Sequence, residues 1–231
     1  MGKKRVVVLT GAGMSAESGL KTFRDANGLW EGHDVMEVAS PQGFAVNPEL
    51  VLEFYNQRRR QLHEVKPNAG HMALADLESS FDVEIITQNV DNLHEKAGSS
   101  SVLHLHGELL KVRSTQNENH VMTWTEDLVL GDLDENGHQL RPHIVWFGEM
   151  VPMLEPAIEI TAKANILIII GTSMQVYPAA SLVNFVAYGT PIYFIDPKPN
   201  IAERQFSNLT VISENASTGV PKLAQQLIGM L

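Results

Sequence analysis

Val6-Val7-Val8-Leu9-Thr10-Gly11-Ala12-Gly13-Met14-Ser15-Ala16 decides how the rest of the chain is read. The opening run, read as a strand over Arg5–Thr10, is apolar and rich in valine with no polar alternation, as in a strand covered on both faces. A G-x-G-x-x-A pattern follows directly, where such a strand must turn. Glycines there let a backbone approach a diphosphate, and a following helix N-terminus would add N–H donors. A tight turn needing positive φ explains the same glycines without a ligand. One expected dinucleotide feature is missing: no acidic residue ends a second strand about 20 residues later. Asp25 and Glu31 fall in a loop instead.

Further apolar runs at Val83–Thr87, Ile166–Ile170 and Pro191–Ile195 read as buried parallel strands, with Leu209–Ile212 as an edge strand. Helical patterns lie between them: Pro48–Val65 capped by Asn47, then Asn68–Ser79, Pro156–Lys163, Ala179–Ala187 and Thr218–Leu231. Strands alternating with helices predict an α/β fold with a doubly wound parallel sheet. Lys111 to Arg141 breaks the rhythm, with turn-like Gln116–Asn119 and Asp132–Gly137, and reads as a small inserted subdomain. A second insertion runs from Gly32 to about Gly70. The expected layout is one catalytic unit over 1–231, with a large domain from 1–31, 71–110 and 143–231 and a small one from 32–70 and 111–142.

The 231 residues carry 17 Lys+Arg against 27 Asp+Glu, a formal net charge of −10. That balance argues against non-specific nucleic-acid binding. It would attract lysine-rich proteins, although solubility alone accounts for it. There is no cysteine, so no disulfide, thiolate nucleophile or cysteine zinc site is possible. The apolar run after Lys3-Lys4-Arg5 is too short for a signal core, and Ile166–Ile170 is too short to span a bilayer. A cytoplasmic protein with no membrane partner is expected.

Two further stretches carry chemistry. Thr87-Gln88-Asn89-Val90-Asp91-Asn92 sits at the carboxyl end of a predicted strand, where ligands bind in open α/β sheets. A helix cap by Asp91 or Asn92 would explain one of its polar residues, not the set. Leu103-His104-Leu105-His106-Gly107 ends another short strand, and alternation would put both histidines on one face. An imidazole with a pKa of about 6.5 suits proton removal near neutral pH. Two histidines two apart also suit a metal, but no third ligand is near. Phe23-Arg24 follows the glycine loop, where Arg24 could touch phosphate and Phe23 could shield a sugar or simply pack.

Together these segments resemble the sirtuin family. Gly11–Gly19 is similar to its GAGxSxxSG signature; Phe23-Arg24, Thr87–Asp91 and His106-Gly107 are similar to its next motifs. Pro142–Glu149 resembles its substrate-binding strand and Gly171–Pro178 its GTSxxVxP loop. The motifs occur in family order over nearly the whole chain. The resemblance implies a Rossmann-type large domain and a small domain, with NAD as co-substrate and acyl-lysine entering a cleft between them. Gly11, Ala12, Gly13, Ala16, Phe23 and Arg24 would form the cofactor loop. Gln88, Asn89 and Asp91 would hold the nicotinamide ribose and carboxamide, and Gly171, Thr172 and Ser173 the phosphates and adenosine ribose. His106 would be the general base, with Asn89 the other catalytic residue. Ile144, Val145, Trp146 and Phe147 would take the substrate, the last three pairing with its backbone as an added strand. The implied reaction is NAD-dependent deacylation of protein lysines, releasing nicotinamide and O-acyl-ADP-ribose. Mono-ADP-ribosyl transfer or NAD hydrolysis on the same scaffold is the alternative, and a non-catalytic NAD-binding module a third reading.

Tyr55-x-x-Arg58 resembles the pair found in the desuccinylase-like subclass, with Ala39 as the small residue that leaves room for a longer acyl group. Arg58 would pair with a succinyl or malonyl carboxylate; a solvated Arg58-Arg59-Arg60 run is the other reading. Two departures stand out. Most sirtuins hold the small domain with four cysteines on zinc, but this chain reads Arg113-Ser114-Thr115-Gln116-Asn117 where the first pair would fall. No zinc is expected; His120, Asp132, Asp134 and His138 lack a recognised metal spacing, and packing by Val121, Trp124, Leu128 and Leu130 should hold the domain instead. Asp196 stands where the family usually has an asparagine on the adenosine ribose, and would favour NAD over NADP by charge. Asn215-Ala216 would approach adenine.

Overall fold

The computed structural model describes residues 2–20, 29–30, 32–201, 206 and 208–231. In chain order its elements are β1 (Arg5–Thr10), β2 (Leu29–Trp30), β3 (His33–Asp34), α1 (Val35–Val38), α2 (Pro41–Val46), α3 (Pro48–Glu64), α4 (Ala69–Leu77) and β4 (Asp82–Thr87). Then come α5 (Leu93–Ala97), β5 (Val102–His104), β6 (Gly107–Ser114), β7 (Val121–Thr123), β8 (Leu140–Ile144) and α6 (Leu154–Ala162). β9 (Ile166–Ile170), a 3₁₀ helix (Ala179–Phe185), β10 (Ile192–Ile195), β11 (Leu209–Ile212) and α7 (Ala216–Ile228) complete the chain. They form two compact units: Met1–Leu20 with Lys66–Leu105 and Pro152–Leu231, and Lys21–Val65 with His106–Val151.

The first unit is built on a six-stranded parallel sheet in the order β11-β10-β9-β1-β4-β5. Val6, Val8, Ile85, Ile168 and Ile195 face a core closed by Leu74 and Leu77 of α4 and Val220, Leu223 and Leu227 of α7. The alternate residues Val7, Leu9, Ile86, Ile169 and Phe194 are equally buried, so the sheet is covered on both faces, which is why its strands read as unbroken apolar runs. Chain order runs from β1 outward to β4 and β5, then returns past β1 to β9, β10 and β11. That reversal makes the carboxyl end of β1 a topological switch point. The expected α/β doubly wound sheet is the architecture found.

Two local readings differ. The segment from Ala179 forms a 3₁₀ helix rather than an α-helix. The Ser181 hydroxyl donates to the Pro178 carbonyl at 2.7 Å, a local bond that competes with helical pairing. The strand expected to carry both histidines stops at His104, and residues 105–106 turn into β6. Gly107 makes that turn at φ +83°, and a Cβ there would lie 2.1 Å from the His143 carbonyl oxygen. Glycine is therefore required on both counts.

The second unit has an antiparallel sheet, β7-β6-β8, and the short β2-β3 hairpin. Asn47 caps α3 by accepting from the Leu50 N–H at 3.1 Å. The core is Leu52, Val112, Leu128 and Leu140, with Phe44, Met122 and Trp124 against it. Val121 and Leu130, expected in this core, are 37% and 45% exposed. Val121 begins an edge strand and Leu130 precedes the turn at Gly131, so neither faces inward.

Buried polar hooks reinforce this small core. The Asn56 amide donates to the Leu128 carbonyl at 2.9 Å and its oxygen accepts from the Leu128 N–H at 2.8 Å. The same oxygen receives Arg59 Nη1 at 2.6 Å, while Arg59 Nε donates to the Leu109 carbonyl at 3.2 Å. Arg59 is fully buried, and burial lowers its pKa to about 10, which leaves it charged at neutral pH. The Arg58–Arg60 stretch is thus not one solvated run. Asn56→Ala would strand three buried partners and should cost about 3 kcal/mol in urea unfolding at pH 7; a loss below about 0.5 kcal/mol would contradict the hook.

Candidate active site

In the first unit the functional segments follow the carboxyl ends of β1, β4, β9 and β10. The loop after β1 is pressed against the loop after β9. Gly11 N–H donates to the Ile170 carbonyl at 3.0 Å, and Gly13 N–H to the Gly171 carbonyl at 2.8 Å. A Cβ on Gly13 would meet Gly171 Cα at 2.7 Å, and Gly171 itself has φ +60°. The pair forms a backbone cradle that any side chain would fill. Instead of the helix expected after the glycine pattern, two short 3₁₀ turns follow, Ala12–Met14 and Ala16–Ser18. A full helix dipole is absent there, and local N–H groups are what the loop offers an anion. Ala12 is half-buried and Ala16 exposed.

Asn89 lies beneath this loop, 8% exposed. Its amide nitrogen donates to the Gly11 carbonyl at 3.1 Å and to Ser15 Oγ at 3.2 Å, which turns its Oδ1 away from both. Ser15 donates onward to Asp91 Oδ2 at 2.9 Å, and Asp91 Oδ1 accepts from the Leu93 N–H at 3.1 Å. Asp91 therefore closes the turn that leads into α5 and joins the polar cluster at once. Burial raises its pKa, against the lowering effect of the Leu93 N–H and the Ser15 hydroxyl. Gln88 donates to Thr172 Oγ1 at 3.3 Å, linking the segments after β4 and β9, with Ser173 next to it and half-buried. Asp196, at the end of β10, is 1% exposed, with Oδ1 on the Lys198 N–H at 2.8 Å. Ala216 is 3% exposed and its methyl belongs to the apolar core instead of an open surface. Phe23 and Arg24 lie outside the described residues.

Three buried groups in this unit escaped sequence reasoning. Ser15 entered only as a letter of the glycine pattern. His71 and His94 stack with ring centroids 4.8 Å apart. His71 completes the capping box of α4 by accepting from the Asn68 N–H at 3.3 Å. A histidine three residues after a capping Asn was the available signal. His104, which sequence alternation paired with His106, instead contacts the Asn89 carbonyl at 3.1 Å and Glu95 Oε1 at 2.7 Å.

The second unit holds the remaining residues. His106 is half-buried in the turn before β6, and its carbonyl accepts from the Val145 N–H at 2.9 Å. Phe147 N–H donates to the carbonyl of buried Ala39 at 2.9 Å, and Trp146 N–H to Glu149 Oε2 at 2.8 Å. All three amides of the expected substrate strand are thus engaged, and β8 ends at Ile144. A docking peptide would have to use the carbonyls. Glu149, another residue the sequence reading left without a role, receives Arg141 Nη1 at 2.6 Å, Arg141 Nη2 at 3.2 Å and Arg113 Nη2 at 3.1 Å. Its carboxyl pKa falls despite burial, because Arg141, the Trp146 N–H and Arg113 favour the charge.

Tyr55 is fully buried and its hydroxyl accepts from the Trp146 indole N–H at 2.9 Å. Burial pushes its pKa up, so it stays a neutral phenol. The Arg58 guanidinium lies 3.2 Å from the Phe54 ring centroid and 5.0 Å from that of Trp30. Among the described residues there is no cluster of three or more metal-ligating side chains.

A parallel sheet with a glycine cradle at its switch point and an amide–hydroxyl–carboxylate cluster beneath it defines a nucleotide-binding class of protein. Residues 11–178 match the Sir2 family, and the chain belongs to it. A Helicobacter pylori protein named NAD-dependent protein deacylase is 60% identical over 227 residues, 98% of this chain and 99% of that protein. A Sir2 homologue solved in complex with ADP-ribose is 38% identical with a TM-score of 0.89, covering 99% of this chain and 93% of that one. A Sir2 homologue–NAD complex, also 38% identical, gives a TM-score of 0.87 over 99% and 91% of the two chains.

The buried histidines give the fold an acid sensitivity. Burial lowers the pKa of His71 to about 4 and that of His94 well below its ordinary value. Unfolded histidine titrates near 6.5, so below that pH the unfolded chain binds more protons. The stability present above about pH 6.5 is lost as pH falls toward 4. A His71→Gln/His94→Gln protein should show a flatter fall in melting temperature between pH 6.5 and 5 than wild type; parallel curves would contradict neutral burial of these rings.

Proposed function

We infer that this protein is an NAD-dependent protein-lysine deacylase. The observation that carries the reading is the Asn89 amide, held by Gly11 and Ser15 under the Gly13–Gly171 cradle at the switch point. The cradle fits a diphosphate, since it brings backbone without side chains to one spot. NAD supplies a sugar carbon from which nicotinamide departs when the acyl oxygen of a modified lysine displaces it. In this reading Ala12, Ala16, Thr172 and Ser173 bind the diphosphate and adenosine portions, joined by Phe23 and Arg24. Gln88, Asn89 and Asp91 orient the nicotinamide end. Asn89, with Oδ1 aimed away from its own partners, faces the reacting sugar. Asp196 reads the adenosine ribose, with the backbone at Asn215-Ala216 toward the adenine. His106 accepts a proton from a ribose hydroxyl, a task suited to an imidazole near neutral pH. The carbonyls of Val145 and Phe147 hold the peptide backbone, that of Trp146 already accepting from the Glu149 N–H at 3.0 Å, so recognition of side chains is weak.

The acyl end is read by Tyr55 and Arg58, with Ala39 leaving room. The Trp146 indole occupies an acceptor site of the Tyr55 oxygen, leaving the phenol proton to donate to an acyl carboxylate. This favours succinyl and malonyl groups alongside acetyl. A charge-assisted bond is worth about 1.5–3 kcal/mol, or about 10–150-fold in rate. Arg58→Met should therefore lose about that factor in kcat/KM on succinyl- and malonyl-lysine peptides and stay within about threefold on acetyl-lysine. Equal loss on all three would remove the carboxylate role. His106→Ala should abolish O-acyl-ADP-ribose formation by mass spectrometry. ADP-ribosylated protein or free ADP-ribose as the main wild-type product would instead favour transferase or hydrolase activity.

The small unit needs no zinc in this reading. Ser114 Oγ closes one turn by accepting from Gln116 and Asn117 N–H at 3.1 and 3.3 Å. Asp134 Oδ1 closes another on Asn136 and His138 N–H, both at 2.9 Å. Purified protein should contain no stoichiometric zinc by elemental analysis, and a chelator should leave its melting temperature unchanged. A reducing, cytoplasmic setting fits a chain with no cysteine.

A further inference from the structure

Behind Asn89 runs a chain of buried polar groups that the proposed chemistry does not use. Asn89 N–H donates to Thr87 Oγ1 at 3.0 Å. Thr10 Oγ1 donates to the same oxygen at 2.8 Å. His94 Nε2 lies 3.1 Å from Thr10 Oγ1. Thr10, Thr87 and His94 are all at most 1% exposed.

The directions of these bonds follow from the donation of Thr10 to Thr87. An N–H can only donate, so Asn89 makes Thr87 Oγ1 an acceptor. Thr10 has committed its proton to that oxygen and must accept from the other side. His94 therefore presents Nε2–H, and its Nδ1 carries the lone pair. That Nδ1 is buried without a hydrogen-bond partner. A buried orphan acceptor costs stability. The ring's one directed contact on this side is with Thr10.

We propose that His94 is a positioning residue for nicotinamide release, acting through Thr10 and Thr87 to hold the backbone of Asn89. It touches neither substrate nor NAD. The Asn89 side chain is held from above by Gly11 and Ser15 and its backbone from below by the relay. Loss of the relay frees the backbone and misplaces Oδ1, and small misplacements of a reacting group are costly in rate. The proposal rests on the deacylase reading, in which Asn89 acts on NAD.

The test uses the full chain with NAD and an acetyl-lysine peptide, following nicotinamide by chromatography. His94→Leu and Thr10→Val should lower kcat about tenfold with the peptide KM within about twofold. His94→Gln, whose amide nitrogen is as many bonds from Cα as Nε2, should restore kcat to within about twofold of wild type. A glutamine variant as slow as the leucine one, or loss confined to the peptide KM, overturns the proposal. If His94→Leu fails to fold by thermal melting, the near-isosteric Thr87→Val carries the test, and a wild-type rate there overturns it. Backbone amide exchange in NAD-free protein gives a readout independent of turnover. The Asn89 N–H should exchange at least about tenfold faster in Thr10→Val than in wild type, and unchanged exchange overturns the relay. A wild type releasing no nicotinamide with any acyl peptide sinks the deacylase reading, while the exchange result still decides the relay.

Discussion

The contact between Gly13 and Gly171 is the constraint from which the nucleotide half of the site follows. β1 pairs in register with both β4 and β9, so the loops leaving β1 and β9 emerge side by side. They can pass only because neither carries a side chain at the crossing, where a Cβ on Gly13 would sit 2.7 Å from Gly171 Cα. Backbone bonds from Gly11 and Gly13 then tie the two loops together. The same crossing brings the Gly11 carbonyl over the end of β4, where it receives the Asn89 amide. Strand order thus becomes loop contact, and loop contact becomes the orientation of one side chain. Widening the crossing by a single methyl would separate the Asn89 amide from one of its two acceptors, the Gly11 carbonyl and Ser15 Oγ.

Charge is handled differently in the two units. Asp91 is buried with only neutral donors on its carboxylate, and burial lifts its pKa. Glu149 is surrounded by two guanidiniums and one N–H, and its pKa falls. A carboxylate with neutral donors remains responsive to an approaching ligand dipole. One clamped by two arginines is a fixed post. Glu149 holds Trp146 by its backbone while Arg141 stacks 3.3 Å from the Trp146 ring centroid. The indole that sets the Tyr55 hydroxyl is therefore fixed from two sides.

The parallel sheet was legible because strands buried on both faces show as unbroken apolar runs, and β1, β9 and β11 begin and end where those runs do. Helix starts were legible where a side chain caps them, as at Asn47 and Asn68. The 3₁₀ helix at Ala179 was misread because its apolar spacing resembles an α-helix while one serine hydroxyl redirects the backbone. The central strand β6 was missed because it mixes Glu108, Lys111 and Arg113 with apolar residues, and only its pairing with β7 and β8 reveals it. Around the site, polar residues at strand ends stood out by composition. Ser15, His94 and Glu149 did not, because their partners are distant in sequence or, for Glu149, separated by a turn.

The lack of cysteine sharpens what must hold the second unit together. Its core is small, and two of the residues expected to fill it are exposed. Side chains that bond backbone supply the remainder: Asn56 on Leu128, Arg59 on Leu109, Ser114 and Asp134 on their own turns. Such hooks are directional, so they specify a loop path as well as stabilise it. Two of them, Asn56 and Arg59, depend on the helix that also carries the proposed acyl site, because they alternate along α3 with Tyr55 and Arg58. One helix therefore anchors the unit with one set of side chains and addresses the acyl group with the next. A change that loosens Asn56 or Arg59 would shift Tyr55 and Arg58 too, which couples the stability of this unit to its acyl selectivity.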